Sequence, residues 1–295
     1  MTDYLPLRQQ LAGSDIVVAP GCYDAYSALL IAKAGFSVAY ISGASISYTR
    51  IGRPDIGLVS MHEVAQTVSS IAEYNEIPLV IDGDTGFGNA LNVIRTVRLF
   101  ERAGAAAIQL EDQTMPKRCG HLNGKVLVPA AEMVGKIKAA LDARKNDDFL
   151  IIGRTDSIAV EGFDAALERA ERYVEAGADV LFIEAPQSLE QMQALAARFR
   201  GRVPLLANMV EGGKTPMHSA AELQDIGYSL VIFPGGLIRA YSFMATEYLN
   251  SLRESGTTQA YRNRMLDFDQ LQDLLGTASV LDAGAQYDAA NFENC

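Results

Sequence analysis

Tryptophan is absent from these 295 residues, and cysteine and histidine are nearly so, with three of each. Cys22, Cys119 and Cys295 cannot form a disulfide framework, so the fold must be held by a buried core instead of cross-links. No run of 18 apolar residues occurs, which argues against a membrane-spanning helix. The opening "MTDYLPLRQQLAG" lacks an apolar signal core. Together these predict a reducing, cytoplasmic setting. Positive charge is also scarce: 25 Lys and Arg stand against 36 Asp and Glu, a net charge of −11. Such a surface repels phosphate backbones and anionic lipid, so neither nucleic acid nor a membrane surface is an expected partner. An anionic small molecule would need cations gathered inside a site.

What the chain does have is apolar material, 49% of residues, enough for a large core. It is distributed in a regular alternation. Short β-branched runs fall at 16–20, 37–42, 77–84, 105–112, 149–156, 179–186, 203–210 and 229–235. Between them lie helical patterns such as 90–104 and 165–177, both ending in Gly, a usual helix stop. The strands are nearly all apolar, as expected for parallel strands covered on both faces. Eight strands alternating with helices predict an α/β fold, a closed (β/α)8 barrel, in one domain spanning 1–295. A helical extension is expected from about 237 and a weakly patterned tail from about 276. An open doubly wound sheet would need a Gly-rich first turn, which "APGCYDAYSALL" does not supply.

Polar residues close the strand candidates. The third ends in Asp82 and Asp84, the fourth in Glu111 and Asp112, the fifth in Arg154 and Asp156, the sixth in Glu184 and the seventh in Asn208. In a parallel barrel these ends meet at one face, where barrel enzymes carry their sites. Singly, each could be a strand-end cap. Five successive strands ending this way point to a cavity. Asp82, Asp84 and Glu111 crowded together require a neutralising cation. Oxygen-only donors favour Mg²⁺, with Mn²⁺ as a substitute, over zinc. The competing reading is a salt-bridge network around Arg154. The Gly-rich stretches "DGDTGFGNA" and "NMVEGGKTP" lack the spacing of nucleotide-binding loops, so their glycines more simply permit close approach.

The segment "EDQTMPKRCGHLNGK", 111–125, is polar and broken by Pro116, Gly120 and Gly124, so it reads as a mobile loop. It places Cys119 among Lys117, Arg118 and His121, cations expected to lower the thiol's pKa. Three readings stand: an incidental cysteine, a nucleophile paired with His121, or a general acid delivered by a closing lid.

The motifs "DGDTGFGN", "LEDQ" with "KRCGH", "GRTD", "EAGAD" and "LLANMVEGGKTP" resemble, in order over about 16–255, the isocitrate lyase and phosphoenolpyruvate mutase superfamily. The "KRCGH" element resembles its lyase branch. The resemblance implies a metal-dependent carbon–carbon lyase on a barrel whose last helix is exchanged between subunits, in a homotetramer of helix-swapped dimers. Phosphonomutase or oxaloacetate-cleaving activity on the same site, or a barrel that only binds keto acids, are the alternatives. It implies Mg²⁺ held mainly by Asp82, with Asp55, Asp84 and Glu111 acting through water. Tyr40, Ser42, Gly43 and Ala44 would bind the keto-acid end beside Arg154. Lys117, Arg118, Gly120, Asn208 and Arg239 would contact a carboxylate substrate. Cys119 would be the lid acid, with His121 and Glu184 in the catalytic set and Tyr40 a candidate for taking the hydroxyl proton. One departure bears on substrate: Val210 stands where methylisocitrate and isocitrate lyases carry a hydroxyl residue.

Overall fold

The structure is a computed structural model and describes residues 4–292. Eight parallel strands close on themselves in sequence order, so the expected (β/α)8 barrel is present. They are β1 (Val17–Cys22), β2 (Ala39–Ile41), β3 (Leu79–Asp82), β4 (Ala107–Glu111), β5 (Leu150–Thr155), β6 (Val180–Ile183), β7 (Leu205–Asn208) and β8 (Leu230–Phe233). β1 pairs with both β2 and β8, which closes the ring. β1 runs past Pro20, where the sequence reading stopped. Gly21 allows this, because a Cβ there would come within 2.2 Å of the Pro234 carbonyl oxygen.

Strand side chains alternate between two apolar layers. The inner cluster contains Val17, Ala19, Val38, Tyr40, Val80, Ala107, Leu150, Ile152, Val180, Phe182, Leu206, Leu230 and Ile232. The short helix Leu7–Leu11 contributes Leu7 and Leu11 to the same cluster. The outer cluster joins the other strand faces to the surrounding helices, for example through Ile81, Val97, Phe100, Ile137, Leu181 and Phe199. The helix Ala90–Ala103 shows why these helices form where they do. Asn89 accepts from the Leu91 and Asn92 amides at its start, and Gly104, at φ +103°, ends it in the left-handed conformation.

The chain divides into two compact units, Met1–Arg239 and Ala240–Cys295. The first holds the barrel. The second contains most of the helix Gly236–Ser255, a 3₁₀ turn Thr258–Arg264 and helices Phe268–Leu275 and Thr277–Ala285. Its centre is Tyr261, whose ring meets Tyr248 edge-on and is covered by Arg264. The stretch after 276, weakly patterned in sequence, carries the helix Thr277–Ala285. Among the described residues no helix is long and apolar enough to cross a membrane.

Candidate active site

Strand alternation builds the site. Inward residues climb from apolar to polar along each strand: Val80 to Asp82, Ala107 through Gln109 to Glu111, Ile152 to Arg154, and Phe182 to Glu184 beyond β6. Register sets Asp82 beside Gln109 and Glu111 beside Arg154. The upper rim of the barrel is thus charged, over a floor that water cannot reach.

Arg154 is the hub. Its guanidinium donates to Asp156 twice, at 2.9 and 3.1 Å. It lies 3.4 Å from Glu111 Oε2 and 3.3 Å from Glu184 Oε2, and stacks over Phe182 at 5.0 Å. Burial alone would favour a neutral Arg154, but Asp156, Glu111 and Glu184 outweigh it and hold the cation firmly charged. Asn208 donates to Glu184 Oε2 at 2.9 Å. Glu111 Oε1, Glu184 Oε1 and Asn208 Oδ1 have no hydrogen-bond partner among the described residues. Buried acceptors left open in this way are ready to receive a ligand's donors.

Next to Arg154 lies the acid cluster. Lys117 reaches down from the 111–125 loop to Asp55 at 2.6 Å and Asp84 at 2.8 Å. Burial would lower its pKa, yet Asp84 and Asp55 raise it well above the usual lysine range. Burial pushes Asp84 up to about 7, with Lys117 pulling against Asp82 and Asp55. Burial also raises Glu111. Even with Lys117 in place, the cluster holds more negative charge than its own cation neutralises. Asp82 Oδ2 would be only 3.3 Å from a Cβ on Gly43, so the glycine keeps space open above that carboxylate. Among the described residues no group of three Asp, Glu, His or Cys side chains is arranged to hold one metal ion. One carboxylate at Asp82 completed by water fits a strongly hydrated divalent cation; a zinc cage does not fit.

Gln109 was not among the candidates. It donates to Asp82 Oδ1 at 3.2 Å and accepts from Tyr40 at 3.1 Å. Both contacts are buried, and the first, together with the Asp84 amide at 3.2 Å to the same oxygen, fixes which way Asp82 faces. The only signal in the sequence was a lone amide in an apolar strand. The same contact corrects the expectation for Tyr40. Burial first, then Asp82, raises its pKa well above the usual range, so it stays a phenol whose proton is engaged by Gln109 and not a free base. Ser42 accepts from the Ser45 amide at the head of the turn Gly43–Ile46, with Ala44 in the same turn.

The 111–125 loop is folded down over this rim. Its neck pairs through Thr114 N to Val126 O and Val128 N to Asp112 O, both 2.8 Å. Gln113 holds both the amide and the carbonyl of Arg118. At the tip, a Cβ on Gly120 would lie 2.6 Å from Arg154 Nη2 and 2.8 Å from Glu184 Cγ. Only glycine lets the tip approach so closely. The His121 ring lies against Gly213 and accepts from the Lys214 amide at 3.2 Å. The "GGK" glycine thus makes room for the lid. Neutral His121, with Nδ1 accepting, carries its proton on Nε2, 3.6 Å from Glu184 Oε1.

Two expectations for this loop change. Cys119 is not activated by its neighbours: burial raises its pKa above the usual thiol range, against a backbone donor from His121. Lys117 is taken up by acids, Arg118 is exposed and donates to the Asn123 carbonyl at 2.9 Å, and burial lowers the His121 pKa. Arg118 accordingly turns away from the site it was expected to serve. Arg239 is exposed and ion-paired with Glu211 on the loop after β7, with its guanidinium packed over Gly235. Glu211 and Lys125, below, were also missed.

The family model for phosphoenolpyruvate phosphomutase matches residues 7–252. The chain belongs to this family. It is 43% identical over 95% of its length to 2,3-dimethylmalate lyase of Eubacterium barkeri, covering 96% of that protein. It is 47% identical over 92% of its length to 2-methylisocitrate lyase of Aeropyrum pernix, covering 87% of that protein. A solved phosphonopyruvate hydrolase in complex with oxalate and Mg²⁺ superposes with a TM-score of 0.86 at 31% identity, covering 96% of this chain and 98% of that one.

Proposed function

We propose that this protein is a Mg²⁺-dependent carbon–carbon lyase that splits a branched 2-hydroxy dicarboxylate of the 2,3-dialkylmalate type into pyruvate and a short carboxylic acid. The observation that carries the reading is Cys119, a half-buried thiol whose pKa is raised, one residue from Gly120, which lies against Arg154 and Glu184. A nucleophile would need a thiolate. A thiol held protonated above a cationic hub suits an acid.

In this reading Arg154 and the Ser42–Ala44 turn hold the end of the substrate that leaves as pyruvate. Asp82, set by Gln109, would hold Mg²⁺, with Asp55, Asp84 and Glu111 acting through water. The ion supplies Lewis acidity that makes the 2-hydroxyl easier to deprotonate. A rim carboxylate takes the hydroxyl proton, the oxygen's lone pair forms the ketone as the C2–C3 bond breaks, and the bonding pair passes to C3. That fragment is an enediolate, and Cys119 gives it the proton that completes the second product. The closed lid keeps water from competing. Lys117, already engaged with the acids, closes over the cluster with the lid. The magnesium bound in the phosphonopyruvate hydrolase complex supports the choice of metal.

A short substrate is favoured at the distal end. Val210 offers a methyl surface, and Arg239 is already paired with Glu211, so an additional carboxylate would meet a largely neutralised cation. The identities to the two lyases do not separate them. Comparing kcat/KM for 2,3-dimethylmalate and 2-methylisocitrate tests the assignment. We expect the former to be the better substrate and Val210→Ser to shift the ratio toward the latter. A wild type that strongly prefers 2-methylisocitrate overturns it.

A tetramer of helix-exchanging dimers is part of the same proposal. It is supported by the exposed apolar side chains of the second unit, among them Phe268 at 77%, Val280 at 69% and Leu281 at 66% exposure.

A further inference from the structure

Lys125 sits between Gly124 and Val126, both exposed, yet its own side chain is 1% exposed. A buried ammonium is costly unless it is fully paired. Lys125 has two partners. One is Asp156 Oδ1 at 3.1 Å and the other is the carbonyl of Gly120, at the tip of the same loop. Asp156 is itself fully buried. Its two oxygens also take both hydrogen bonds from Arg154, and its amide donates to Asp112 at 3.0 Å. Burial would raise the Asp156 pKa, but Arg154 and Lys125 together hold it below the usual carboxylate range.

One ammonium therefore joins the residue after Cys119 to the carboxylate that orients Arg154. The loop's backbone neck fixes its base, and Lys117, paired with Asp55 and Asp84, ties down the stretch before Cys119. The contact of His121 with Lys214 is partly exposed. The buried, charged tie that reaches the residue after Cys119 is Lys125.

We propose that Lys125 is a positioning residue: a latch that holds the lid tip closed over the barrel rim and couples that closure to the orientation of Arg154. Through Gly120 it places Cys119, and through Asp156 it fixes the guanidinium. Its catalytic consequence rests on the reading of Cys119 as the lid acid, but its mechanical role does not.

Cys119 itself reports on the latch. In the intact protein, iodoacetamide alkylation at Cys119 is followed by peptide mass spectrometry, with fully buried Cys22 as the internal control. Lys125→Met, which keeps length and removes charge, should speed modification of Cys119 by about tenfold or more, in line with loss of a buried charged hydrogen bond. Cys22 should not change. The same variant should lower kcat more than it alters KM, and Lys125→Arg should recover part of both effects. If circular dichroism shows that Lys125→Met does not fold, Lys125→Gln carries the test, with a smaller increase expected. Alkylation of Cys119 at the wild-type rate in a folded Met or Gln variant overturns the latch, whatever happens to turnover. If no substrate is cleaved, the functional proposal fails while the alkylation result still decides the latch.

Discussion

The Cys119 thiol takes its chemistry from burial and not from the basic residues beside it in sequence. Its raised pKa keeps the proton in place at neutral pH, so activity should persist as pH climbs and fall only as the thiol ionises. The kcat–pH profile should therefore lose its alkaline side above the ordinary thiol value of about 8.5. A loss centred well below that value would show that the thiol is activated after all. Cys119→Ser replaces the donor with a far weaker acid. Turnover should drop about 10²–10⁴-fold with a lesser change in KM, a span typical of general acid catalysis. Unchanged turnover would make Cys119 a bystander. Gln109 makes a different kind of contribution, because its buried amide, held by Tyr40, donates to the Asp82 carboxylate. Gln109→Leu should weaken Mg²⁺ binding about 10–100-fold by titration calorimetry, the usual effect of removing a group that orients a metal ligand. An unaltered affinity would mean that Asp82 holds its position without help.

At the scale of elements, the lid behaves as a folded piece docked on the loop after β7. Gly213 is where the two loops touch: a Cβ there would come 2.8 Å from His121 Cε1. Gly213→Ala should push the tip aside and reduce kcat by about 10²-fold, the loss associated with roughly 1 Å of misplacement, while the melting temperature stays near wild type. Wild-type turnover in that variant would separate lid docking from catalysis. The barrel and its rim were legible in the sequence because period-two alternation is local. Once Val80, Ile152 and Phe182 face inward, Asp82, Arg154 and Glu184 must follow at the top of the same face. The lid was not legible, because nothing local distinguishes its buried cations from its exposed one. Lys117 and Arg118 are adjacent and basic, yet one is buried between Asp55 and Asp84 and the other lies over its own loop. Lys125 reads as a surface lysine until Asp156, 31 residues away, is brought beneath it. Gln109 was hidden for the opposite reason, as a polar residue in a strand that read as wholly apolar.

For the whole molecule, the second unit leaves much apolar surface open, and no side chain of the helix Phe268–Leu275 is buried. Association with further copies would cover it. Light scattering should give the mass of a tetramer for the full chain and a smaller species when residues 257–295 are removed; a monomeric full chain would contradict the proposed assembly. The proposed chemistry is cleavage of a C–C bond with a divalent cation at Asp82 and a proton from Cys119. Pyruvate release from 2,3-dimethylmalate, followed by a coupled dehydrogenase, tests this most directly when the protein is assayed with Mg²⁺, after EDTA treatment, and as Cys119→Ser. The account predicts steady release with Mg²⁺, none after EDTA with recovery when Mg²⁺ is restored, and a rate reduced by orders of magnitude in the variant. Release that continues undiminished in EDTA, or none from either 2,3-dimethylmalate or 2-methylisocitrate with the metal present, would contradict it.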